Sequence, residues 1–191
     1  MKLGLALLRS IVGALFVGHG LQKLAGWFGG HGLEATGNAF ESMGLRPGRV
    51  HATAAGLSEA GGGALLVLGL LTPVATMLIS ATMATAIYKV HAKNGPWAAS
   101  GGYEYNLVLI AVVFALAELG PGELSLDAAL GLERKGPGVA LAQLGAALVG
   151  AGAAIAIGER MPESTASALE PDSASSAGNG DRASAEAPAT T

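Results

Sequence analysis

Four ionisable side chains stand inside long apolar stretches of the sequence. They are Arg9, His19 and Lys23 in the first stretch and Glu59 in the second. At ~100° per residue the three basic side chains fall within an arc of about 80° on one helix face. A charge in hydrocarbon is costly unless it is paired, so we expect Glu59 to pair with one of them. A His beside a Glu can move protons, and a Lys or His can hydrogen-bond a quinone carbonyl or an anionic head group.

Helix depth decides which of the cations Glu59 meets. Arg9 lies near the start of the first apolar stretch, whereas Glu59 lies in the first half of an antiparallel second stretch. Glu59 should therefore face His19 and Lys23, and with Gln22 these side chains predict a polar pocket near one membrane face. The mouth of this pocket is expected to be shaped by loop residues Asn94, Trp97, Glu104 and Tyr105. The spacing is equally compatible with an ion pair that only fixes helix register.

Five apolar segments would position these residues. They are residues 3–25, 52–71, 74–88, 107–117 and 139–158. About 20 apolar residues span a bilayer as a helix, so the sequence predicts an all-α integral membrane protein. We expect a transmembrane four-helix bundle followed by a fifth transmembrane helix. The fourth segment is short, and a re-entrant or buried helix is its alternative interpretation.

The composition excludes several classes of function. Hydrophobic residues make up 51% of the 191 residues and charged residues 13%, and the mean hydropathy is +0.49. The net charge of -3 offers no basic surface for nucleic acid. Because the chain has no cysteine, it forms no disulfide, thiolate metal site or CxxC redox pair. The four histidines lack a metal-ligand spacing, so no metal is expected.

The remaining stretches define the organisation of the chain. Residues 34–43 form an amphipathic pattern that predicts a short helix over the mouth of the bundle. Thr72 and Pro73 predict a tight turn between antiparallel helices. In the last apolar segment Ala146, Gly150, Ala154 and Gly158 recur every four residues and predict a small-residue face for close helix contact. We divide the chain into a bundle at 1–130, an additional helix at 131–160, and a disordered acidic tail at 161–191.

Several motifs occur together in one order. They are Arg9, F-V-G-H-G-L-Q-K-L at 16–24, Glu59 with the glycines up to 63, G-L-L-T-P at 69–73, and N-G-P-W at 94–97 followed by G-Y-E-Y-N-L at 102–107. With this spacing the sequence resembles the DoxX family over about residues 1–130, which would be the family's four-helix bundle. The additional helix and the acidic tail depart from that pattern.

The resemblance implies a multi-pass protein of a prokaryotic plasma membrane. Some DoxX-like proteins are linked to thiosulfate:quinone oxidoreductase, and others to membrane oxidoreductase complexes of thiol and oxidative-stress homeostasis. We therefore expect a quinone- or redox-associated subunit of a membrane oxidoreductase complex; no cofactor is firmly implied, and quinone is the candidate ligand. Its expected partners are the lipid bilayer and a redox partner protein or a second copy. The alternatives are a small-molecule carrier or permease and a structural membrane scaffold.

Overall fold

The computed structural model describes residues 3–162, and all regular structure in this range is helical. The helices are α1 (Leu3–Ala25), α2 (Gly32–Ser42), α3 (Gly48–Leu68), α4 (Thr72–Ala86), α5 (Glu104–Leu119), α6 (Leu126–Ala129) and α7 (Pro137–Arg160). A π turn (Ile87–His91) and a 3-10 turn (Ala92–Asn94) continue α4, and further 3-10 turns lie at Trp27–Gly29 and Ala98–Ser100. The predicted all-α fold is confirmed. The predicted disordered tail lies outside the described residues from position 163 onward.

Three of the described helices can cross a membrane by length and composition alone. They are Leu3–Ala25, Thr72–Asn94 and Pro137–Arg160. The predicted second segment belongs to α3, which is 21 residues long but contains several polar side chains. The predicted fourth segment belongs to α5, whose 16 residues measure ~24 Å. Both helices pack among the other three, α3 against α1, α2 and α4, and α5 against α4 and α7. Each of these two helices is therefore covered by protein on part of its surface, while side chains such as Leu57 and Val108 stay exposed.

Helices α1 and α3 approach each other backbone to backbone along a seam of glycines. A Cβ atom built on Gly13 would lie 2.5 Å from the carbonyl oxygen of Gly63, and one on Gly20 would lie 2.4 Å from the amide nitrogen of Ala60. No side chain fits at either position, which is the packing role expected of small residues in membrane helices. The close approach fixes the depth of α3 beside α1. It therefore also fixes the height of Glu59 relative to α1.

Helices α3 and α4 begin without a capping hydrogen bond from their own N-cap side chains. Each receives a carboxylate from another helix instead. Glu41 of α2 accepts a hydrogen bond from the amide of Gly48, and Asp127 of α6 accepts hydrogen bonds from the amides of Leu71 and Thr72 at 2.8 and 2.9 Å. Anions are favoured at helix N-termini because the first amides have no helical partner. The short helices α2 and α6 thus anchor the two ends of the α3–α4 hairpin.

Helix α7 packs on α4 and α5 and completes the bundle. Its buried small residues are Ala140, Ala147 and Ala151, and Gly158 packs against the backbone of Leu45. Of the small-residue face predicted from the sequence, Gly158 belongs to this buried set, whereas Ala146 and Gly150 are exposed. An alanine- and glycine-rich helix offers several such stripes, so the pattern alone could not select the buried one.

Candidate functional site

One cavity of about 580 Å³ lies inside the bundle at the end that carries Lys23. Its walls come from α1, α3, α4 and α5, and α2 and the loop before α5 border its mouth. The lining is mostly apolar, and its volume falls in the range typical of small-molecule sites. Of the predicted site residues, His19, Lys23, Glu59 and Tyr105 line it. Helices α1 and α3, which meet at the glycine seam, therefore bring together the predicted charges of Lys23 and Glu59.

An ion pair between α1 and α3 forms the polar part of this cavity. Lys23 Nζ lies 2.5 Å from Glu59 Oε2, as the helix depths predict. The side chain of Glu59 is 5% exposed and that of Lys23 is 25% exposed. Within the described residues the ammonium makes this one hydrogen bond, so two of its three N–H groups are available to a ligand. The pair thus stabilises a buried carboxylate and still offers donors to the cavity.

His19 is held in one tautomer by its neighbour on α1. Gln22 Nε2 donates to the carbonyl oxygen of Phe28 at 3.2 Å, so Gln22 Oε1 points to His19 Nδ1, 3.1 Å away. An amide oxygen only accepts, and therefore Nδ1 of His19 carries the hydrogen. The Nε2 atom of the neutral ring is left with a free lone pair. Gln22 does not line the cavity itself, but it sets which nitrogen of His19 stays without a hydrogen-bond partner in the described residues.

The predicted mouth residues divide into one that lines the cavity and three that build the loop beside it. Asn94 Nδ2 donates to the carbonyl oxygen of Gly101 at 3.1 Å, and Glu104 Oε2 accepts from the amide of Ala98 at 2.9 Å. Trp97 is 67% exposed and does not line the cavity. The Tyr105 hydroxyl makes no hydrogen bond within residues 3–162, so it is free to donate to a ligand.

Two further residues line the cavity but were not among the site residues predicted from the sequence. Lys89 and His91 lie in the π turn that continues α4, and both line the cavity. Lys89 Nζ donates to Glu159 Oε1 at 2.7 Å and to the carbonyl oxygen of Met43 at 3.2 Å. The turn therefore ties the cavity rim to the end of α7. The sequence shows that these basic residues follow an apolar segment. It does not show the π turn, in which both side chains line the cavity.

Arg9 lies away from the cavity. It is 14 residues before Lys23 on α1, or ~21 Å along the helix axis. Its guanidinium is buried and donates to the carbonyl oxygens of Pro121 and Leu124 at 3.0 and 2.6 Å, and it interacts electrostatically with Asp127. Asp127 was not singled out from the sequence, because a short helix far along the chain gives no periodicity to indicate its position. Arg9 and Asp127 hold the opposite end of the bundle together.

Within the described residues no group of three His, Cys, Asp or Glu side chains is placed to hold a metal ion. His51 Nε2 lies 3.2 Å from the carbonyl oxygen of Arg46, and His31 lies at the start of α2. These two histidines lie outside the lining of the cavity. The polar groups that remain for a ligand are thus hydrogen-bond donors and acceptors.

Comparison with known proteins identifies the family. Residues 4–92 match the DoxX family. Over 126 residues, or 66% of this chain, the sequence is 34% identical to a protein of Bacillus subtilis (strain 168) named "Putative oxidoreductase CatD", and the match covers 86% of that protein. The chain belongs to the DoxX family. No solved structure matches this DoxX protein.

The family match covers the part of the cavity wall that bears the charges. Residues 4–92 run from α1 to the end of the π turn, and they include His19, Lys23, Glu59 and Lys89. Helices α5 and α7 lie outside this match, although α5 contributes Tyr105 to the lining. With three helices apolar enough to cross a bilayer, the chain is a membrane protein of the DoxX family.

Proposed function

We propose that this DoxX protein is a multi-pass membrane subunit in a prokaryotic plasma membrane. It binds a quinone in the cavity between α1, α3, α4 and α5. The observation that carries the proposal is a mostly apolar cavity within a membrane bundle whose polar groups have unused hydrogen-bonding capacity. A quinone head is a flat apolar ring with two carbonyl oxygens, and each oxygen needs a donor when it leaves water. The relative named as an oxidoreductase supports a redox role.

Donors on opposite walls of the cavity suit two carbonyl oxygens on one ring. Lys23 on α1 has two N–H groups free within the described residues, and Tyr105 on α5 has a free hydroxyl. Between them the lining is apolar, with Phe16 and Met83 among the residues that contact a ring placed there. Thr82 and Thr85 also line the cavity, but their hydroxyl hydrogens are directed at backbone carbonyls of α4. The lysine and the tyrosine are the donors that we assign to the two carbonyl oxygens.

Proton transfer is assigned to His19. Reduction of a quinone takes up protons at its carbonyl oxygens, and oxidation of the quinol releases them. With Nδ1–H directed at Gln22, the ring of His19 can accept or deliver a proton at Nε2. The Lys23–Glu59 pair keeps a second proton-carrying group close by. These residues position and protonate the ligand.

The electrons are assigned to a redox partner protein. The chain has no cysteine, so it carries out no thiol–disulfide exchange of its own. In this proposal the chain supplies the quinone site in the membrane, and the partner exchanges electrons with the bound quinone. A second copy of this chain, the alternative partner, would bring no redox group that the first copy lacks.

The test is binding of menaquinone and ubiquinone to the purified protein in lipid nanodiscs. His19→Phe keeps an aromatic ring of similar shape but removes both nitrogens. We expect it to weaken binding of the reduced forms, the quinols, about 2- to 10-fold, because a quinol hydroxyl donates to Nε2 and one hydrogen bond contributes about 0.5–1.5 kcal/mol. His31→Phe is the matched control, because His31 lies outside the cavity lining. A native protein that binds neither quinone would refute the proposal and favour a carrier or a scaffold.

A further inference from the structure

The cavity is polar at one end and apolar at the other. His19, Lys23, Glu59, Lys89 and His91 lie towards the mouth, whereas the lining from α1 continues through Phe16 and Leu15 to Val12. Lys23 and Val12 are 11 residues apart on α1, a distance of ~16 Å along the axis. A quinone head group of one or two fused rings at the polar end is shorter than this distance and leaves the apolar end unfilled. The deep end therefore has room for part of a hydrocarbon chain.

The apolar end reaches the lipid-facing surface of α1. Leu15 lines the cavity and is also 54% exposed. Leu8 and Ile11 are exposed as well, and at ~100° per residue the three fall within an arc of about 60°. An exposed apolar stripe on a membrane-spanning helix faces acyl chains. Leu15 is thus the residue at which the cavity and the bilayer meet.

The neighbouring wall at this point is α5. α1 packs on α3 and α2, whereas α5 packs on α4 and α7. Leu109 of α5 lines the same apolar end as Leu15. Further from the mouth, Val12, Val113 and Leu116 belong to one buried core cluster that closes the space between the helices. Helices α1 and α5 thus have little direct contact with each other, and Leu15 and Leu109 line the cavity from these two walls above the cluster.

We propose that the cavity takes a quinone with a long isoprenoid tail, and that the tail leaves between α1 and α5, past Leu15 and Leu109, into the bilayer. The inference rests on the proposed function and specifies its substrate class. The head group lies among His19, Lys23 and Tyr105, and the first part of the tail fills the apolar end. A ligand of this shape enters from the membrane, where long-tailed quinones are concentrated, and not through the mouth formed by α2 and the loop before α5.

The test is the substitution Leu15→Trp, which places a bulky ring in the proposed opening. Two probes are compared in nanodiscs, a menaquinone with a long isoprenoid tail and the tailless parent naphthoquinone. Overfilling a packed passage weakens binding of the long-tailed probe by about tenfold or more, and the tailless probe keeps its native affinity. Ile11→Trp is the matched control. Ile11 lies one turn earlier with 51% exposure, outside the lining, so neither affinity should change.

The outcomes separate this inference from the function on which it rests. If Leu15→Trp leaves both affinities unchanged while the native protein binds both probes, the quinone site stands and the tail route is wrong. If Leu15→Trp weakens both probes equally, residue 15 contacts the head group, and the tail route is again wrong. If the native protein binds neither probe, the proposed function is wrong and the tail route falls with it.

Discussion

The Lys23–Glu59 pair is the feature whose role can be measured most directly. The two side chains can be exchanged for apolar residues of similar size, as Lys23→Met, Glu59→Leu and the double variant. If the pair only fixes helix register, the double variant keeps both the fold and the ligand affinity. If the pair is part of a binding site, the double variant folds but loses affinity. Stability and binding therefore report on different roles of the same two residues.

The expected stabilities follow from the burial of each partner. Glu59 is 5% exposed, so Lys23→Met leaves a buried carboxylate without its cation and should cost about 3–5 kcal/mol. Lys23 is 25% exposed, and the cavity can hydrate it, so Glu59→Leu should cost less, about 1–3 kcal/mol. The double variant removes both charges and should lie within about 1 kcal/mol of the native protein. The coupling energy of the cycle is then about 3 kcal/mol or more.

Thermal unfolding in mild detergent, followed by far-UV circular dichroism, measures these differences. At ~2–4 °C per kcal/mol, Lys23→Met should lower the unfolding midpoint by roughly 6–20 °C. The exposed pair Glu133–Lys135, 3.2 Å apart, is the control and should show a coupling energy below about 1 kcal/mol. Equal stability of the two single variants and the double variant would refute the energetic reasoning. Native quinone affinity in a folded double variant would refute the role of the pair in the site.

Two further predictions concern the fold. Asp127→Asn disrupts a buried carboxylate that accepts three hydrogen bonds from the start of α4, and should lower the free energy of unfolding by about 2–4 kcal/mol; an unchanged midpoint in the same unfolding assay would contradict this. Gly20→Ala places a Cβ against the backbone of Ala60 and should cost about 1–3 kcal/mol, whereas Gly18→Ala, which meets open space, should be neutral or stabilising. Equal stability of the two alanine variants would show that the glycine seam is not tight.

The sequence allowed the long helices and their relative depth to be predicted, for a physical reason. Apolar segments of this length must be helical in lipid, so the bounds of α1 follow from where the apolar run begins and ends. The tight turn at Thr72 and Pro73 makes α3 and α4 antiparallel neighbours. The second apolar stretch also runs antiparallel to the first, and counting residues along these two places Glu59 near Lys23. Helix bounds and relative helix depths could therefore be predicted, because they depend only on segment length and on the membrane as solvent.

The path of the connecting segments could not be predicted from the sequence. Arg9 is held by carbonyl groups of the loop before α6, more than a hundred residues away in the chain. The π turn that directs Lys89 and His91 into the cavity depends on a local change of helical hydrogen bonding. Hydrophobic periodicity indicates which face of a helix is buried. It does not indicate how a loop crosses the end of a bundle, so neither feature could be predicted from it.

Two buried charge centres within the described residues differ in their surroundings, and this difference supports the proposed site. At one end the guanidinium of Arg9 is 3% exposed and donates to two backbone carbonyls, and the Asp127 carboxylate accepts from a helix N-terminus. Those groups are used in holding helices together. At the other end Lys23 donates one hydrogen bond within the described residues, and it faces a cavity that also holds Nε2 of His19. We therefore propose that the Lys23–Glu59 charges are retained for a ligand, because the ion pair alone would be satisfied without an apolar cavity beside it.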